Sequence, residues 1–391
     1  MQITEVHKKE FGCVPQAVAS APDRFHLIGE HSWFFKDKTL SLAIDVPVTV
    51  SVSGRDDDFF YYYWLEKDDR KKSGAIPAKV RKEDRWVSVI KSVIYGFVSK
   101  GANVQGLNLV LSARMSPVFG YGRTNAIKFA VAYAINAALG FNFTEDELVS
   151  IVVSGSRDFL KERIFLADLY SAVYSEKDSF ILTDYANDTF EILPFDFSDK
   201  SLLFIETKVP RFDSWHEASL FEPEYALLMG DLKEEKKSAV GGWVYNDNLA
   251  DIHEILAACG EKNIRKLIAL IREHKNVLEA RDGILSGQFG SFARAVNSSH
   301  ESMRDYYEMS SPEVDWILKR ILSINPNLAD VRNPFSCGRI CDTPSFRCMY
   351  SFVPDENIPE LEKKFQEFER IFGFRVKYEK IVSRGGVEIV S

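Results

Sequence analysis

The C-terminal part of the chain changes its hydrophobic period twice, and this restricts the possible folds more than any other feature. FRCMYSFVP (346–354) and FRVKYEKIVS (374–383) are typical of strands, whereas PELEKKFQEFERIFG (359–373) between them is typical of a helix. A strand, a helix and a strand in this order predict an α+β sandwich at this end of the chain.

Strands and helices also alternate in the N-terminal half. LSLAIDVPVTVSVS (40–53) alternates and is rich in Val, which predicts a strand. DRWVSVIKSVIYGFVSKG (84–101) has helical spacing, with Asp84 as a candidate N-cap. Thr144 and Glu147 are spaced as a capping box, which predicts the start of another helix.

Length and charge exclude some classes of protein. The 391 residues suffice for two or three domains, and the net charge of −8 argues against nucleic acid or an anionic membrane as a partner. The longest apolar segment, AIKFAVAYAINAALGFNF (126–143), contains Lys128 and Asn136 and is too short to span a bilayer. MQITEVHKKEFG at the start lacks the pattern of a signal peptide.

The cysteines indicate the compartment. There are five, an odd number, which suits reduced thiols and predicts a cytoplasmic location. Three of them fall in SCGRICDTPSFRC (336–348), whose spacing fits no zinc pattern and which has no His nearby. We therefore expect no metal site in that segment.

Three segments resemble the signatures of one family. APDRFHLIGEHSWFF (21–35) is similar to APGRVNLIGEHTDY of galactokinases, and NSSHESMRDYYEMSSPEVDWI (297–317) is similar to their N-x-SHxSLRDxYEVSCPELD. RGGVEIV (384–390) resembles their closing GDGARVL. The matches occur in the same order over nearly the whole chain, so the sequence resembles the galactokinase branch of the GHMP small-molecule kinases.

The resemblance implies a fold and a ligand set. The expected fold is the two-domain α+β GHMP kinase fold, with an N-terminal domain like domain 2 of ribosomal protein S5 and a ferredoxin-like C-terminal domain. We place these domains at residues 1–200 and 201–391, and the resemblance puts the active site in the cleft between them. A small-molecule sugar is the implied partner, and ATP and Mg²⁺ are the implied cofactors if the protein is active; no protein partner is indicated.

The resemblance also assigns candidate catalytic and sugar-binding residues. The motif's Arg falls on Arg24, and its Glu and His fall on Glu30 and His31. Trp33 stands where the family has an Asp that contacts a sugar hydroxyl, and it offers an apolar face for stacking instead. Asp168 in FLADL (165–169) takes the place of the catalytic Asp, which accepts or orients the proton of a sugar hydroxyl.

Both assignments leave an alternative open. The segment from 21 to 31 is also explained as a turn whose charges pair with each other or cap a helix. Asp168 is also explained as an acidic residue on a helix surface near Lys161 or Arg163.

The phosphate loop departs from the family pattern P-x-G-x-G-L-S-S-S-A. In SPVFGYGRTNAIKFA (116–130) the glycines Gly120 and Gly122 remain, whereas Arg123, Thr124 and Asn125 replace the Leu and Ser run. Glycines let backbone N–H groups approach phosphate, and the helix that follows adds partial positive charge. These five residues are the candidate nucleotide-binding residues, and the Thr124 hydroxyl is the candidate Mg²⁺ ligand.

A third family signature, R-M-T-G-G-G-F-G-G-C-x-x-A-L-V, is altered further. The corresponding residues 339–353 are RICDTPSFRCMYSFV, with Asp342, Thr343 and Pro344 in place of the glycines. Non-glycine residues in a left-handed conformation cost about 1–2 kcal/mol each, and Pro344 lacks an N–H donor.

Three hypotheses about function follow. In the first, a galactokinase-like protein has impaired or lost phosphoryl transfer and retains a sugar or small-molecule pocket, as a pseudokinase does. In the second, it is an active sugar kinase that phosphorylates the C1 hydroxyl of galactose or a related sugar. In the third, it is an interaction protein that uses the aromatic segment RDDDFFYYYWLEKDD (55–69), although that run is better explained as an ordinary strand and loop.

Overall fold

The structure is a computed structural model that describes residues 2–29, 31–74, 79–113, 122–197, 199–210, 261–324, 332–341 and 346–391. Within these ranges the helices are α1 (Ile3–Phe11), α2 (Val87–Ser99), α3 (Arg123–Leu139), α4 (Glu145–Gly155), α5 (Leu166–Val173), α6 (Glu261–Leu285), α7 (Phe289–Asp305), α8 (Pro312–Ser323) and α9 (Ile358–Phe372). The strands are β1 (Ala17–Ile28), β2 (Lys38–Gly54), β3 (Phe60–Trp64), β4 (Asp69–Ser73), β5 (Leu107–Ala113), β6 (Ser179–Asp184), β7 (Thr189–Pro194), β8 (Lys200–Pro210), β9 (Cys337–Cys341), β10 (Phe346–Pro354), β11 (Lys377–Lys380) and β12 (Glu388–Ile389).

The chain forms two compact units that are interleaved along the sequence. Unit 1 comprises residues 1–25, 42–178 and 383–391, and unit 2 comprises residues 26–41 and 179–382. The division at residue 200 that the sequence predicts remains a prediction about domain boundaries.

Unit 1 is built on a mixed sheet with strand order β12-β1-β2-β5-β3-β4. Apolar residues of β2 and β5 are almost completely buried, and α2, α3 and α4 pack against one another. The helix α4 begins at the predicted capping box, in which the Thr144 side chain accepts the Glu147 N–H and the Glu147 carboxylate accepts the Thr144 N–H. Local chemistry thus fixes the start of this helix.

Unit 2 contains the antiparallel sheet β11-β8-β10-β9 and the hairpin β6–β7. The helices α8 and α9 pack on the four-stranded sheet through an apolar core that includes Ile317, Met349 and Phe368. The strand-helix-strand ending that the sequence predicts is present as β10, α9 and β11, so the α+β class is confirmed.

One local prediction is wrong. Helix α2 begins at Val87 with Trp86 as its N-cap, so Asp84 does not cap it. The Asp84 carboxylate instead forms a buried salt bridge with Lys91 at 2.5 Å. An unpaired buried ammonium group would destabilise the fold, so the Asp84 carboxylate pairs with Lys91 and does not cap the helix.

No helix of the described residues is both long enough and apolar enough to cross a membrane.

The aromatic run from Phe60 to Trp64 forms β3, whose Phe60, Tyr62 and Trp64 side chains are buried, as an ordinary strand requires.

Candidate active site

The candidate catalytic residues Arg24 and Asp168 are in contact within unit 1. Arg24 lies on β1, and its Nε donates to Asp168 Oδ1 over 2.5 Å. Asp168 lies in the first turn of α5 and is 4% exposed. Asn125 Nδ2 donates to the second carboxylate oxygen over 2.9 Å, so both oxygens are held by donors. Asp168 is therefore a buried, oriented carboxylate next to a guanidinium, although its catalytic role remains a prediction.

The start of α3 is packed directly against this pair. Gly122 is the N-cap of α3, and a Cβ on it would lie 2.4 Å from Asp23 Oδ1 and 2.8 Å from the Arg24 nitrogen. Only glycine therefore fits at this position. Arg123 and Thr124 occupy the first turn, where helix N–H groups lack intrahelical partners and attract anions. Burial lowers the pKa of the Arg123 guanidinium, against the opposing charges of Asp23 and Glu66.

Asp23 is a buried acid in this cluster that sequence reasoning did not single out. It is 1% exposed, and its Oδ1 accepts the backbone N–H of Arg24 over 2.8 Å. Among the described residues, none donates a hydrogen bond to its buried Oδ2. Burial raises the pKa of Asp23 to about 6; the Arg24 N–H and the charges of Arg123 and Arg24 oppose this rise, and Asp168 adds to it. The sequence signal was an acid where the quoted motif has glycine.

The candidate sugar-binding segment lies in unit 2. His31 contacts the ring of Tyr307, with ring centroids 5.5 Å apart, and Trp33 lies in a short 3₁₀ turn (Ser32–Phe35). Gly29 precedes this segment and has φ of +83°. Its N–H donates to Glu273 Oε1 over 2.8 Å, a contact that sequence reasoning did not anticipate.

The second signature is part of the framework of unit 2. His300 accepts the N–H of Ile340 at Nδ1 over 3.3 Å and lies 3.2 Å from Asp315 Oδ1 through Nε2. Asn297 Oδ1 accepts the N–H of Gly338 over 3.1 Å. The motif 297–317 therefore holds β9 through buried polar contacts.

Several predicted residues lie outside the described part of the chain. They are Glu30 and Gly120 of the candidate site, and Asp342, Thr343 and Pro344 of the third signature. In the described ranges no group of three or more His, Cys, Asp or Glu side chains is arranged to hold a metal ion.

Known proteins are similar in sequence to this chain over nearly its whole length. A family model described as the galactokinase galactose-binding signature matches residues 5–54. A protein of Treponema pallidum (strain Nichols) named "Putative galactokinase" is 32% identical over 388 residues, which cover 98% of this chain and 95% of that protein. A galactokinase of Thermotoga maritima is 26% identical over 298 residues, which cover 76% of this chain and 80% of that protein.

Solved structures match the fold. The crystal structure of Lactococcus lactis galactokinase complexed with galactose has a TM-score of 0.84 at 17% identity and covers 99% of this chain and 98% of that one. Methanococcus jannaschii mevalonate kinase has a TM-score of 0.60 at 14% identity, covering 94% of this chain and 98% of that one. At these identities the matches establish the fold alone.

Proposed function

The chain belongs to the galactokinase family, and we propose that it transfers the γ-phosphoryl group of ATP to the C1 hydroxyl of galactose or a closely related sugar, with an impaired nucleotide step. Its fold is the two-domain GHMP kinase fold. The observation that carries the proposal is the contact of Arg24 with the buried Asp168 carboxylate. A cytoplasmic location remains a prediction.

The proposed chemistry uses this pair. The Asp168 carboxylate accepts or orients the proton of the attacking hydroxyl, which makes that oxygen a better nucleophile. The Arg24 guanidinium stabilises the negative charge that develops during transfer. Because the Asn125 amide holds the second carboxylate oxygen, Asp168 is kept in one orientation for this task.

The start of α3 fits a nucleotide phosphate. It offers the N–H donors of a helix N-terminus and the cation Arg123. The Thr124 hydroxyl would hold Mg²⁺, an ion that prefers oxygen ligands and uses few protein groups. When bound with ATP, Mg²⁺ neutralises charge on the transferred group.

Two features support impairment of the nucleotide step. Asn125 stands in the Ser run of the family loop, and its amide is bonded to Asp168. The Asp23 carboxylate lies beside Gly122, where an ionised acid opposes the approach of phosphate. Both features weaken nucleotide binding rather than proton transfer.

The test is formation of galactose 1-phosphate from galactose and millimolar MgATP by the wild type, Asp168→Asn and Asp158→Asn. Loss of a general base lowers kcat by about 10²–10⁴-fold, so we expect this loss in Asp168→Asn with unchanged galactose affinity. The Asp158 side chain is 42% exposed and is paired with Arg157, so Asp158→Asn is the control and retains full turnover. Unchanged turnover in Asp168→Asn would refute its role.

Asn125 in the Ser run also favours a second candidate, a sugar-binding protein without phosphoryl transfer, because its amide is engaged by Asp168 and is not available to a nucleotide phosphate. The same experiment separates the two. Galactose binding without any product in the wild type would establish the second candidate and refute the kinase proposal.

A further inference from the structure

Helix α6 holds both ends of the candidate sugar-binding segment with two consecutive residues. Glu273 Oε1 accepts the N–H of Gly29 over 2.8 Å. His274 Nδ1 lies 2.9 Å and 3.0 Å from the two carboxylate oxygens of Asp37. Gly29 and Asp37, which lie on either side of His31 and Trp33 in the sequence, are therefore both held by one helix of the same unit.

The start of this segment has a conformation that needs support. Gly29 has φ of +83°, and a Cβ on it would lie 2.4 Å from the Lys38 carbonyl oxygen. The Gly29 carbonyl accepts the Thr39 hydroxyl over 2.6 Å and the Ser32 N–H over 3.0 Å, whereas Glu273 is the acceptor of the Gly29 N–H. A buried backbone N–H that loses its acceptor is left desolvated and unpaired, so the turn depends on Glu273.

The Glu273 carboxylate is itself held by residues of the signatures at 297–317 and 339–353. The Ser299 hydroxyl donates to Glu273 over 2.7 Å and accepts from Arg339 Nε over 2.7 Å. Arg339 is 1% exposed, and its Nη2 lies 3.6 Å from Glu273 Oε1. Gly29, Ser299 and Arg339 come from three separate signatures, and Glu273 belongs to none of them.

We infer that Glu273 is a positioning residue that fixes the sugar-binding turn by accepting the Gly29 N–H, and that the buried pair of Ser299 and Arg339 keeps its carboxylate in place. The inference rests on the proposed function, because it assumes that residues 29–37 contact the sugar. Without the acceptor, the turn occupies other conformations, and galactose binds only the fraction that retains the original one. A competent fraction of one in ten raises the apparent Kd about tenfold.

The experiment compares two variants that differ in one property. Glu273→Gln and Glu273→Met both remove the charge opposite Arg339, but only the glutamine keeps an oxygen acceptor for Gly29. Galactose is titrated calorimetrically into each protein without nucleotide. We expect Glu273→Met to bind at least about tenfold more weakly than the wild type, and Glu273→Gln to remain within about threefold.

The matched control lies on the same helix. Glu279 is paired with Arg294 and is half-buried, so Glu279→Gln removes a charge from α6 without touching the turn and leaves galactose affinity unchanged. In kinetic assays, the galactose KM of Glu273→Met rises while the KM for MgATP stays within about twofold. A merely destabilised protein would instead lose kcat through a smaller active fraction.

The outcomes separate this inference from the proposed function. Wild-type affinity in Glu273→Met, or equal weakening in both Glu273 variants, overturns the inference alone. Galactose binding without phosphorylation overturns the kinase proposal and leaves the inference standing, whereas no galactose binding by the wild type overturns both. If Glu273→Met does not fold, Ser299→Ala decides: it removes the hydroxyl that holds the Glu273 carboxylate and should weaken galactose binding severalfold, and unchanged binding overturns the inference.

Discussion

Replacing Asp23 by Asn should stabilise the protein at neutral pH. The pKa of Asp23 is raised from 3.8 to about 6, chiefly because its carboxylate is buried. A group with a raised pKa contributes stability below its unfolded pKa and loses it as the pH rises through the folded pKa. About two pKa units correspond to about 3 kcal/mol, so the wild type loses roughly this amount between pH 4 and pH 7.

The variant should not lose this stability, because an amide does not ionise and keeps an oxygen acceptor for the Arg24 N–H. Urea unfolding of both proteins at pH 4 and pH 7.5 gives the double difference, in which the titrating groups that do not interact with Asp23 cancel. We expect Asp23→Asn to gain up to about 3 kcal/mol on the wild type between these two pH values. Nearly all of the change should fall between pH 4 and pH 7.

Asp84 provides the contrasting control. It is also a buried acid of unit 1, but Lys91 pairs with it, so Asp84→Asn leaves a buried ammonium group unpaired. Breaking a buried ion pair costs about 3–5 kcal/mol, so this variant should be destabilised at pH 7.5. A constant stability difference between the wild type and Asp23→Asn across the pH range would show that the Asp23 carboxylate is not costly to ionise, and the reasoning would fail.

Two further substitutions test the local geometry. Gly29→Ala places a Cβ 2.4 Å from the Lys38 carbonyl oxygen at a φ of +83°. Left-handed strain alone costs about 1–2 kcal/mol, so both the free energy of unfolding and the galactose affinity should fall. Unchanged values in urea unfolding and calorimetry would contradict the described turn. Thr144→Ala removes the capping box of α4. It should lower the free energy of unfolding in urea by about 1 kcal/mol without changing galactose affinity. A loss of affinity would show that α4 affects the sugar-binding segment.

Much of the fold could be predicted because the relevant signals are local. The Val-rich alternation of β2, the apolar face of α9 and the capping box at Thr144 each depend on residues within one or two turns or a few strand positions. Asp84 shows the limit of such signals. Its neighbours in the sequence fit an N-cap, but the Asp84 carboxylate pairs with Lys91 of α2 instead.

The site was less predictable because burial decides its chemistry. Asp23 is visible in the sequence as an acid, but burial in the folded chain raises its pKa, and Gly122 at the start of α3 is packed against it. No feature of the sequence distinguishes Glu273, since it is one of many charged residues in α6. Its distinct role arises from Gly29 and Ser299, which only the folded chain brings to it.

The pairing of β12 with β1 has a consequence for synthesis of the protein. Ile389 lies opposite Ala19 and Glu388 lies opposite Ser20, so residues from the two ends of the sequence form neighbouring strands of unit 1. The ribosome makes residues 383–391 only after residues 179–382 of unit 2. The β1 edge therefore lacks its strand partner throughout translation of unit 2, and an unpaired strand edge readily pairs with other chains. Nascent chains that stall before residue 383 should be more prone to aggregate than chains that extend beyond residue 391.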